Sequence, residues 1–472
     1  MIHTRPHSNG WRNNGSKADT ANSAYRSMHS VQKLDGCIKP QQQEEVPGDS
    51  SPWQVTINLI KCAVGAGSFS LPAAWRIAGF WAALGLTVAL GTLAASTACM
   101  LVACERRMSR EAGRRLTYPE LLLFTFPGKQ GAIFHAIAVG GITFTSVGVC
   151  VAYVDFIVDV LSGLLQYSQF EVMMLLFPCV LGLALMRSFR YLAFTSILGD
   201  VAVLAGLIGT VSFGVAQGAS FTPPGSLPAV HVAGLPQAAG NIAFLFLIHA
   251  VILPIAQSMR SGSPPPTPCA TSHGHDDAVR TRSVGSVGIH GDSGEEAPPV
   301  ASFATVAWSA YTVITLGNVA FGGICFALFA DRTAPNVLQN LQSGSSGVVA
   351  IQLLLCVDLL FTIPMVLAAG REICEGYTMS SQLGALHETI TRTLTRLALV
   401  LLIFGVAGAI PSFGDVVALI GGLSNSLLGL ILPPILHSPH RLSPVHLISL
   451  LGLALLVSST FFTLKGLLAS IR

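Results

Sequence analysis

The chain has few charged residues. Only 10% of its 472 residues are Asp, Glu, Lys or Arg, whereas 51% are hydrophobic. Soluble domains average about 25% charged residues, so a soluble chain of this length would lack the polar surface that keeps it dispersed. The deficit is expected when most of the surface faces lipid, where charge is costly. The composition therefore predicts an integral membrane protein in contact with a lipid bilayer.

The signatures of several other protein classes are missing too. The formal net charge is only +3 and no basic stripe with interleaved aromatics occurs, so nucleic acid is not an expected partner. The ten cysteines, scattered from Cys37 to Cys374, contain no CxxC pair, which favours small buried hydrophobes over a metal site. There is no Gly-x-Ser-x-Gly elbow, His-Glu-x-x-His or Walker loop, so we predict no catalytic residues and no enzyme.

Eleven segments are apolar over the ~20 residues that a spanning helix needs. The third is long enough to tilt, and the fourth and ninth are near the short limit. An apolar leader is missing from residues 1–50, so the first segment itself is expected to direct insertion. The segments are 55–78, 80–104, 131–163, 170–186, 191–217, 235–259, 303–330, 347–370, 394–410, 414–437 and 445–469.

Lysine and arginine separate the loops into two classes. If the N-terminus is cytosolic, nearly all of the basic loop residues are cytosolic, and the opposite loops carry only Arg332. This asymmetry follows the positive-inside rule and predicts an odd number of spans, with Arg472 on the non-cytosolic face. The membrane could be the plasma membrane or a vacuolar or lysosomal one. The cytosolic loops are 105–130, 187–190, 260–302, 371–393 and 438–444, and the opposite loops are 164–169, 218–234, 331–346 and 411–413.

Two polar stretches flank or interrupt the apolar segments. Residues 1–52 are predicted to be a disordered cytosolic tail, and residues 53–472 the transmembrane domain. Within that domain, residues 260–302 are rich in Pro, Gly and Ser and predict a low-complexity cytosolic loop that cannot bury a core. His273 and His275 lie in this loop and are interpreted as solvated residues rather than metal ligands.

The first segment contains a run that a continuous helix should avoid. Gly65, Ala66, Gly67 and Ser68 are followed by Pro72. Glycine weakens a helix and proline removes a hydrogen-bond donor. Unpaired backbone is tolerated at membrane depth only where it lines a cavity or is buried in protein. Backbone amides at such a break can hold a carboxylate, although a glycine-rich packing face is the alternative.

The sixth segment has a second interruption, with His249 and Pro254 in mid-membrane. Paired interruptions in the first helix of each half are typical of an inverted repeat in secondary transporters. The spacing predicts an all-α membrane fold with a five-plus-five inverted repeat, broken first and sixth helices and one extra helix.

The motifs resemble, in collinear order over roughly residues 53–469, those of the amino acid/auxin permease family. The resemblance begins with the run from Asn58 through Pro72 to Gly79. It continues through Thr117-Tyr118-Pro119-Glu120, Gly148 to Asp159, His249 to Met259, Pro364 to Glu372, and Pro411 to Pro434.

This resemblance implies the leucine-transporter-like fold and alternating-access transport of amino acids, driven by a proton or sodium gradient, with no other cofactor. It also implies that Gly65, Ala66, Gly67 and Ser68 hold the carboxylate of the substrate. Phe244, Phe246 and His249 are expected to face the first helix and to shape the pocket for its side chain. A sensor that binds amino acid with little flux is the alternative class, and the oligomeric state is not predicted.

The coupling ion is assigned from the eighth helix. In the resemblance, sodium needs carbonyls near Cys62 and Gly65 together with two hydroxyls, but one hydroxyl position is Leu360, leaving Thr362 alone. Asp358 is a mid-span carboxylate that a proton can neutralise. We therefore expect proton coupling through Asp358, with a sodium-coupled neutral amino acid transporter as the alternative.

Other ionisable residues lie within the apolar segments and are candidates for function. Asp155 and Asp159 share one helical face, and we expect them to bond broken backbone, pair with Lys61 or relay protons. Asp200 is interpreted as interfacial. Arg76 and Lys465 are expected to snorkel towards the membrane surface.

Overall fold

The computed structural model describes residues 50–186, 192–218, 221–259, 302–341, 345–378, 385–410, 412–439 and 443–471. Residues 1–49 of the predicted tail and 260–301 of the predicted loop lie outside this range, so the two domain predictions that rest on them stay predictions.

Within the described ranges, eleven helical segments follow one another along the chain. They are helix 1 (Pro52–Ala63 and Leu71–Ala78), helix 2 (Phe80–Ala112), helix 3 (Lys129–Leu165), helix 4 (Gln169–Ala184), helix 5 (Leu192–Ala216), helix 6 (Leu235–Phe246 and His249–Gln257), helix 7 (Phe303–Phe329), helix 8 (Ser346–Thr378), helix 9 (Ala385–Ala409), helix 10 (from Phe413 to His437) and helix 11 (His446–Ile471).

The described part of the chain contains nine helices that are long and apolar enough to cross a membrane. The two arms of helix 1, bent by 45°, form a tenth span when counted together, and helix 4 is a shorter apolar helix of 16 residues. Each segment predicted from the sequence coincides with one of these helices. The described part of the chain is therefore all-helical, and the protein is an integral multi-pass membrane protein.

The predicted ends of three helices were too short. Helix 2 continues to Ala112, helix 8 to Thr378, and helix 9 begins at Ala385. Arg371, predicted to lie in a loop, is consequently inside helix 8. Hydropathy detects only the part of a helix that lies in lipid, whereas backbone hydrogen bonds extend the helix into its charged flanks.

Buried residues form two hydrophobic clusters. One is drawn mainly from helices 1, 2, 6 and 7, including Trp75 and Phe246. The other is drawn mainly from helices 3, 4, 8 and 9, including Phe156 and Ile363. Helices 1, 3, 7 and 10 contribute residues to both clusters. Phe244 of helix 6 packs against both, so the two clusters meet beside the helix 6 break.

Helix 10 is irregular beside this junction. Its middle contains two π-helical segments, Gly421–Asn425 and Leu427–Ile431. The Tyr118 hydroxyl, from a short helix (Tyr118–Thr125) after helix 2, donates to the Leu428 carbonyl at 2.6 Å. π-Helical turns are rare and concentrate at functional sites, so helix 10 contributes a candidate site surface here.

Candidate functional site

Helix 1 is broken at the residues that the sequence indicates. After Ala63 the chain passes through extended Val64 and Gly65 and continues as a 3₁₀ helix, Ala66–Ser70. The Ser68 amide donates to the Gly65 carbonyl at 3.0 Å. The amides of Ala66 and Gly67 precede this first closed turn, so they have no acceptor within the 3₁₀ helix. They are available for an external acceptor.

Space beside the break is limited by helix 6. A methyl group placed on Gly67 would lie 2.5 Å from the Phe244 ring and 3.0 Å from Leu245. The Ser68 side chain is 1% exposed, and its hydroxyl has no hydrogen-bond partner among the described residues. The break therefore combines free amides, an unpartnered hydroxyl and a close aromatic neighbour.

Helix 6 ends at Phe246 and resumes at His249. The Tyr311 hydroxyl of helix 7 donates to the Phe246 carbonyl at 3.1 Å. The Asn425 amide of helix 10 donates to the Phe244 carbonyl at 3.4 Å. Side chains from two other helices thus bond carbonyls that the interruption leaves without helical donors, which keeps the break stable at membrane depth.

The three aromatic residues expected to face helix 1 do not share one face. Phe244 contacts Gly67, but a methyl group on Gly91 of helix 2 would meet the Phe246 ring at 3.1 Å. Residues two apart on a helix point about 200° away from each other, so one of the two phenylalanines must face away. His249 is fully buried, and its Nε2 lies 3.0 Å from the Thr97 hydroxyl of helix 2. Phe246 and His249 thus contact helix 2, and their expected part in the substrate pocket stays a prediction.

The predicted coupling residues lie in a cluster that joins helices 1, 5 and 8. The Lys61 ammonium forms an ion pair with Asp200 of helix 5. The Asp358 carboxylate of helix 8 contacts Gly199, where a methyl group would overlap it. The Lys61 ammonium and the carboxylates of Asp200 and Asp358 therefore lie together around residues 199 and 200 of helix 5.

Thr362 and Cys62 border this cluster. The Thr362 hydroxyl donates to the Asp358 backbone carbonyl at 2.9 Å and lies 3.5 Å from its carboxylate. Cys62 follows Lys61 in helix 1 and is a free thiol. The structure thus brings the three sequence-predicted coupling residues to one junction, and adds Lys61 and Asp200.

The two aspartates of helix 3 have other surroundings. Asp155 is 6% exposed, and its Oδ2 has no hydrogen-bond partner in the described part of the chain. Asp159 accepts from Gln169 Nε2 at 3.2 Å. The expected pairing with Lys61 is wrong, because Lys61 is paired with Asp200 on a different helix.

Sequence reasoning missed Asn425 and did not connect Asp200 with Lys61. Asp200 was interpreted as interfacial, and it is the second residue of the apolar span Gly199–Ala216. Asn425 follows Ser424 in an apolar run, and polar residues at that depth are the signal that could have identified it.

Comparisons with known protein sequences match most of the chain. A family model described as "transmembrane amino acid transporter protein" matches residues 48–272 and 297–469. The amino acid transporter ANT1 of Arabidopsis thaliana is 26% identical over 425 residues, which cover 85% of this chain and 87% of that protein. Sodium-coupled neutral amino acid transporter 7 of Bos taurus is 25% identical over 422 residues, covering 82% of this chain and 80% of that protein.

Two solved structures are similar over most of their length. The inward-facing conformation of Mhp1 covers 92% of this chain and 94% of that chain, at 10% identity and a TM-score of 0.49. A sodium-coupled sialic acid symporter in a substrate-bound outward-open state covers 94% of this chain and 96% of that chain, at 11% identity and a TM-score of 0.48.

Proposed function

The chain belongs to the amino acid/auxin permease family of transmembrane amino acid transporters, and on this premise we propose that it carries amino acids by alternating access, with a proton as the coupling ion. The transported molecule binds at the break of helix 1. The proton is carried by Asp358.

The single observation that supports this substrate site most strongly is the geometry from Gly65 to Ser68. The free amides of Ala66 and Gly67 head the second half of helix 1, where the helix dipole favours an anion. The unpartnered Ser68 hydroxyl adds a further donor for a carboxylate. At Gly67, the absence of a side chain allows the Phe244 ring to pack directly against the backbone, so the ring borders the site.

The opposite side of this site is provided by helix 6. Carbonyls at the end of its first half lack helical donors because the helix stops at Phe246. The Phe244 carbonyl accepts only from Asn425 among the described side chains, so its second lone pair can accept from the ammonium group of an amino acid. Phe244 contacts the break and is the aromatic residue best placed to border the substrate's side chain. Phe246 and His249 contact helix 2, and they affect the substrate site indirectly through that helix.

Alternating access is supported by the two hydrophobic clusters. One is drawn mainly from helices 1, 2, 6 and 7 and the other mainly from helices 3, 4, 8 and 9, with Phe244 against both. In transporters with inverted repeats, one body rocks against the other around a fixed midplane site. The two clusters of this protein meet at the proposed substrate site.

Proton coupling is supported by the cluster at Lys61. Bos taurus transporter 7 is named for sodium coupling, which makes sodium the alternative ion. Here the Lys61 ammonium already pairs with Asp200 beside Asp358. A proton can neutralise Asp358 without further ligands, and this removes the cost of a charged group in a closed, dry state. Sodium would need several oxygen ligands beside a fixed positive charge.

The test is uptake by the full-length protein in proteoliposomes. A panel of labelled amino acids is supplied with a proton gradient, a sodium gradient, both or neither. The proposal expects accumulation driven by acid on the donor side, unchanged when choline replaces sodium. Strict sodium dependence would exclude the proton assignment. Saturable binding without flux under every gradient would favour an amino acid sensor instead.

We further propose a cytosolic N-terminus and a non-cytosolic C-terminus, because basic residues are concentrated in the loops on the N-terminal side. Tags at the two termini should differ in their protection from protease in sealed vesicles. Equal protection would exclude this topology.

A further inference from the structure

A cavity of about 270 Å³ lies between the last turns of helix 3, the beginning of helix 4, the beginning of helix 8 and the segment that precedes helix 8. Loops 164–169 and 331–346, which are predicted to be non-cytosolic, contribute to its lining. Its volume is close to the lower limit of small-molecule pockets, about 300 Å³. The cavity therefore has room for a small organic ligand on the side that is predicted to be non-cytosolic.

The charge of this cavity is negative. Asp159 of helix 3 is its only charged lining residue in the described part of the chain. The Asp159 carboxylate accepts from Gln169 Nε2 at 3.2 Å, and its two oxygens have about four lone pairs, so it can accept further donors. Asp155, which is 6% exposed, lies one turn deeper on the same helical face and adds a second carboxylate. The cavity is therefore suited to a cation.

A buried acceptor of helix 8 also lines the cavity. Gln352 is 6% exposed, and its Nε2 donates to the Leu338 carbonyl at 3.4 Å. The Gln352 Oε1 has no hydrogen-bond partner among the described residues. Buried polar atoms are nearly always satisfied, so this oxygen indicates a ligand that donates a hydrogen bond or carries positive charge. Charge and hydrogen bonding thus indicate the same kind of ligand.

The segment before helix 8 separates this cavity from the helix 1 break. It forms a 3₁₀ turn, Val337–Asn340, that packs against the 3₁₀ helix Ala66–Ser70. Val337 is fully buried in the hydrophobic cluster that includes this 3₁₀ helix. Gln339, by contrast, is exposed and lines the cavity. A ligand in the cavity would therefore occupy a place distinct from the proposed amino acid site.

We propose that this cavity binds a small alkylammonium ion, a cation that consists of a protonated primary amine on a short hydrocarbon chain. The ammonium group pairs with the Asp159 carboxylate and donates to Gln352 Oε1, and its third N–H group donates to the Gln339 amide oxygen. The inference does not depend on the proposed transport of amino acids, because none of these three residues belongs to the site at the helix 1 break.

The lining favours an alkylammonium ion over an inorganic cation. Val160, Leu164 and Leu341 supply apolar surface that a hydrocarbon chain covers and a hydrated metal ion does not. An ammonium group has three N–H donors, which equals the number of proposed acceptors. The described residues contain no group of three or more His, Cys, Asp or Glu side chains that could hold a metal ion. A neutral alcohol would leave Asp159 without a counter-charge.

The test measures equilibrium binding of n-butylammonium chloride to the purified full-length protein by saturation-transfer-difference NMR, at millimolar concentration. Asp159→Asn removes the negative charge but keeps the shape of the side chain, and Gln352→Met removes the buried acceptor. Asp331→Asn is the matched control, because it removes an exposed carboxylate that does not line the cavity. Gly67→Ala alters the proposed amino acid site instead. Size-exclusion profiles and melting temperatures verify that each variant is folded.

The inference expects saturable binding by the wild type, Asp331→Asn and Gly67→Ala. Asp159→Asn and Gln352→Met should each weaken binding at least about tenfold, because each removes an acceptor of a charged donor. Asp159→Asn alone decides the question if Gln352→Met does not fold. n-Butanol, which lacks the charge, and tetramethylammonium, which lacks N–H donors, should not compete. Sodium at the same concentration should not compete either, because it cannot use the apolar part of the lining.

Binding that is lost in Gly67→Ala and unaffected by Asp159→Asn would overturn the inference, because the amine would then occupy the proposed amino acid site. Equal competition by sodium would overturn it in favour of an inorganic cation site. Binding that does not saturate, or that is equal in all of the variants, would show only partitioning into detergent and would also overturn it. The proteoliposome uptake assay decides the proposed transport function independently of these outcomes.

Discussion

The Lys61 ammonium of helix 1 forms an ion pair with the Asp200 carboxylate of helix 5. Asp358 of helix 8 contacts Gly199, the residue before Asp200. The Lys61 ammonium thus lies beside two carboxylates. Without it, an ion bound from solution would have to neutralise their negative charge. The pair also joins the first half of helix 1 to helix 5, so a movement that separates these two helices would have to break it.

Asp358→Asn should abolish amino acid accumulation driven by a pH gradient but preserve exchange of labelled for unlabelled amino acid. The asparagine keeps the shape of the carboxylate but cannot bind and release a proton. Proteoliposome uptake and counterflow measure the two activities. Asp331→Asn, an exposed carboxylate, is the control. Undiminished accumulation by Asp358→Asn would contradict the coupling role.

Lys61→Gln should make the melting temperature sensitive to sodium. Removing the ammonium leaves the Asp200 and Asp358 carboxylates without their fixed cation, so sodium should stabilise the variant more than choline does at equal ionic strength. The wild type and Lys465→Gln, which changes an exposed lysine of helix 11, should show no such difference. The idea fails if Lys61→Gln melts at the same temperature in both salts.

Gly67→Ala should reduce uptake by at least about tenfold, equivalent to about 1.4 kcal/mol of binding free energy. Its methyl group would lie 2.5 Å from the Phe244 ring, so the ring would have to move and would disturb the site beside the break. The double variant Gly67→Ala/Phe244→Leu relieves the contact with the ring. Recovery of uptake in the double variant would show that the glycine serves only helix packing.

Phe244→Leu should change the ranking among transported amino acids, whereas Phe246→Leu should lower thermal stability without changing the ranking. Phe244 contacts the helix 1 break, while Phe246 is fully buried against helix 2. The two substitutions are chemically identical, so each controls for the other. If only Phe246→Leu changed the ranking, Phe246 rather than Phe244 would be the residue that borders the substrate.

Glu375→Gln should destabilise the protein by about 3–5 kcal/mol, since breaking a buried ion pair leaves charge uncompensated. Arg396 Nε donates to Glu375 at 2.7 Å, and Arg371 lies 3.7 Å from the same carboxylate oxygen. Glu388→Gln, which breaks an exposed pair with Arg392, should cost about 1 kcal/mol or less. Thermal unfolding in detergent compares them, and equal losses would contradict the burial argument.

The sequence by itself determined the helices, their order and the two breaks. A run of about 20 apolar residues is a local property, and glycine or proline interrupts a helix wherever its neighbours are. Gly65–Gly67 and the region of His249 were therefore identified correctly before any contact was known. The uneven distribution of lysine and arginine between the two sets of loops likewise depends on the composition of each loop alone.

Only the tertiary structure decided which side chains meet. The partner of Lys61 depends on the rotation and depth of helix 5, so sequence reasoning could offer only Asp155 or Asp159 as one alternative, whereas the packing selected Asp200. Phe244 and Phe246 are equivalent in composition, and only the orientation of helix 6 directs one to helix 1 and the other to helix 2. The cavity at Asp159 and Gln352 joins residues that lie far apart in the chain, and only the packing of helices 3, 4 and 8 creates it.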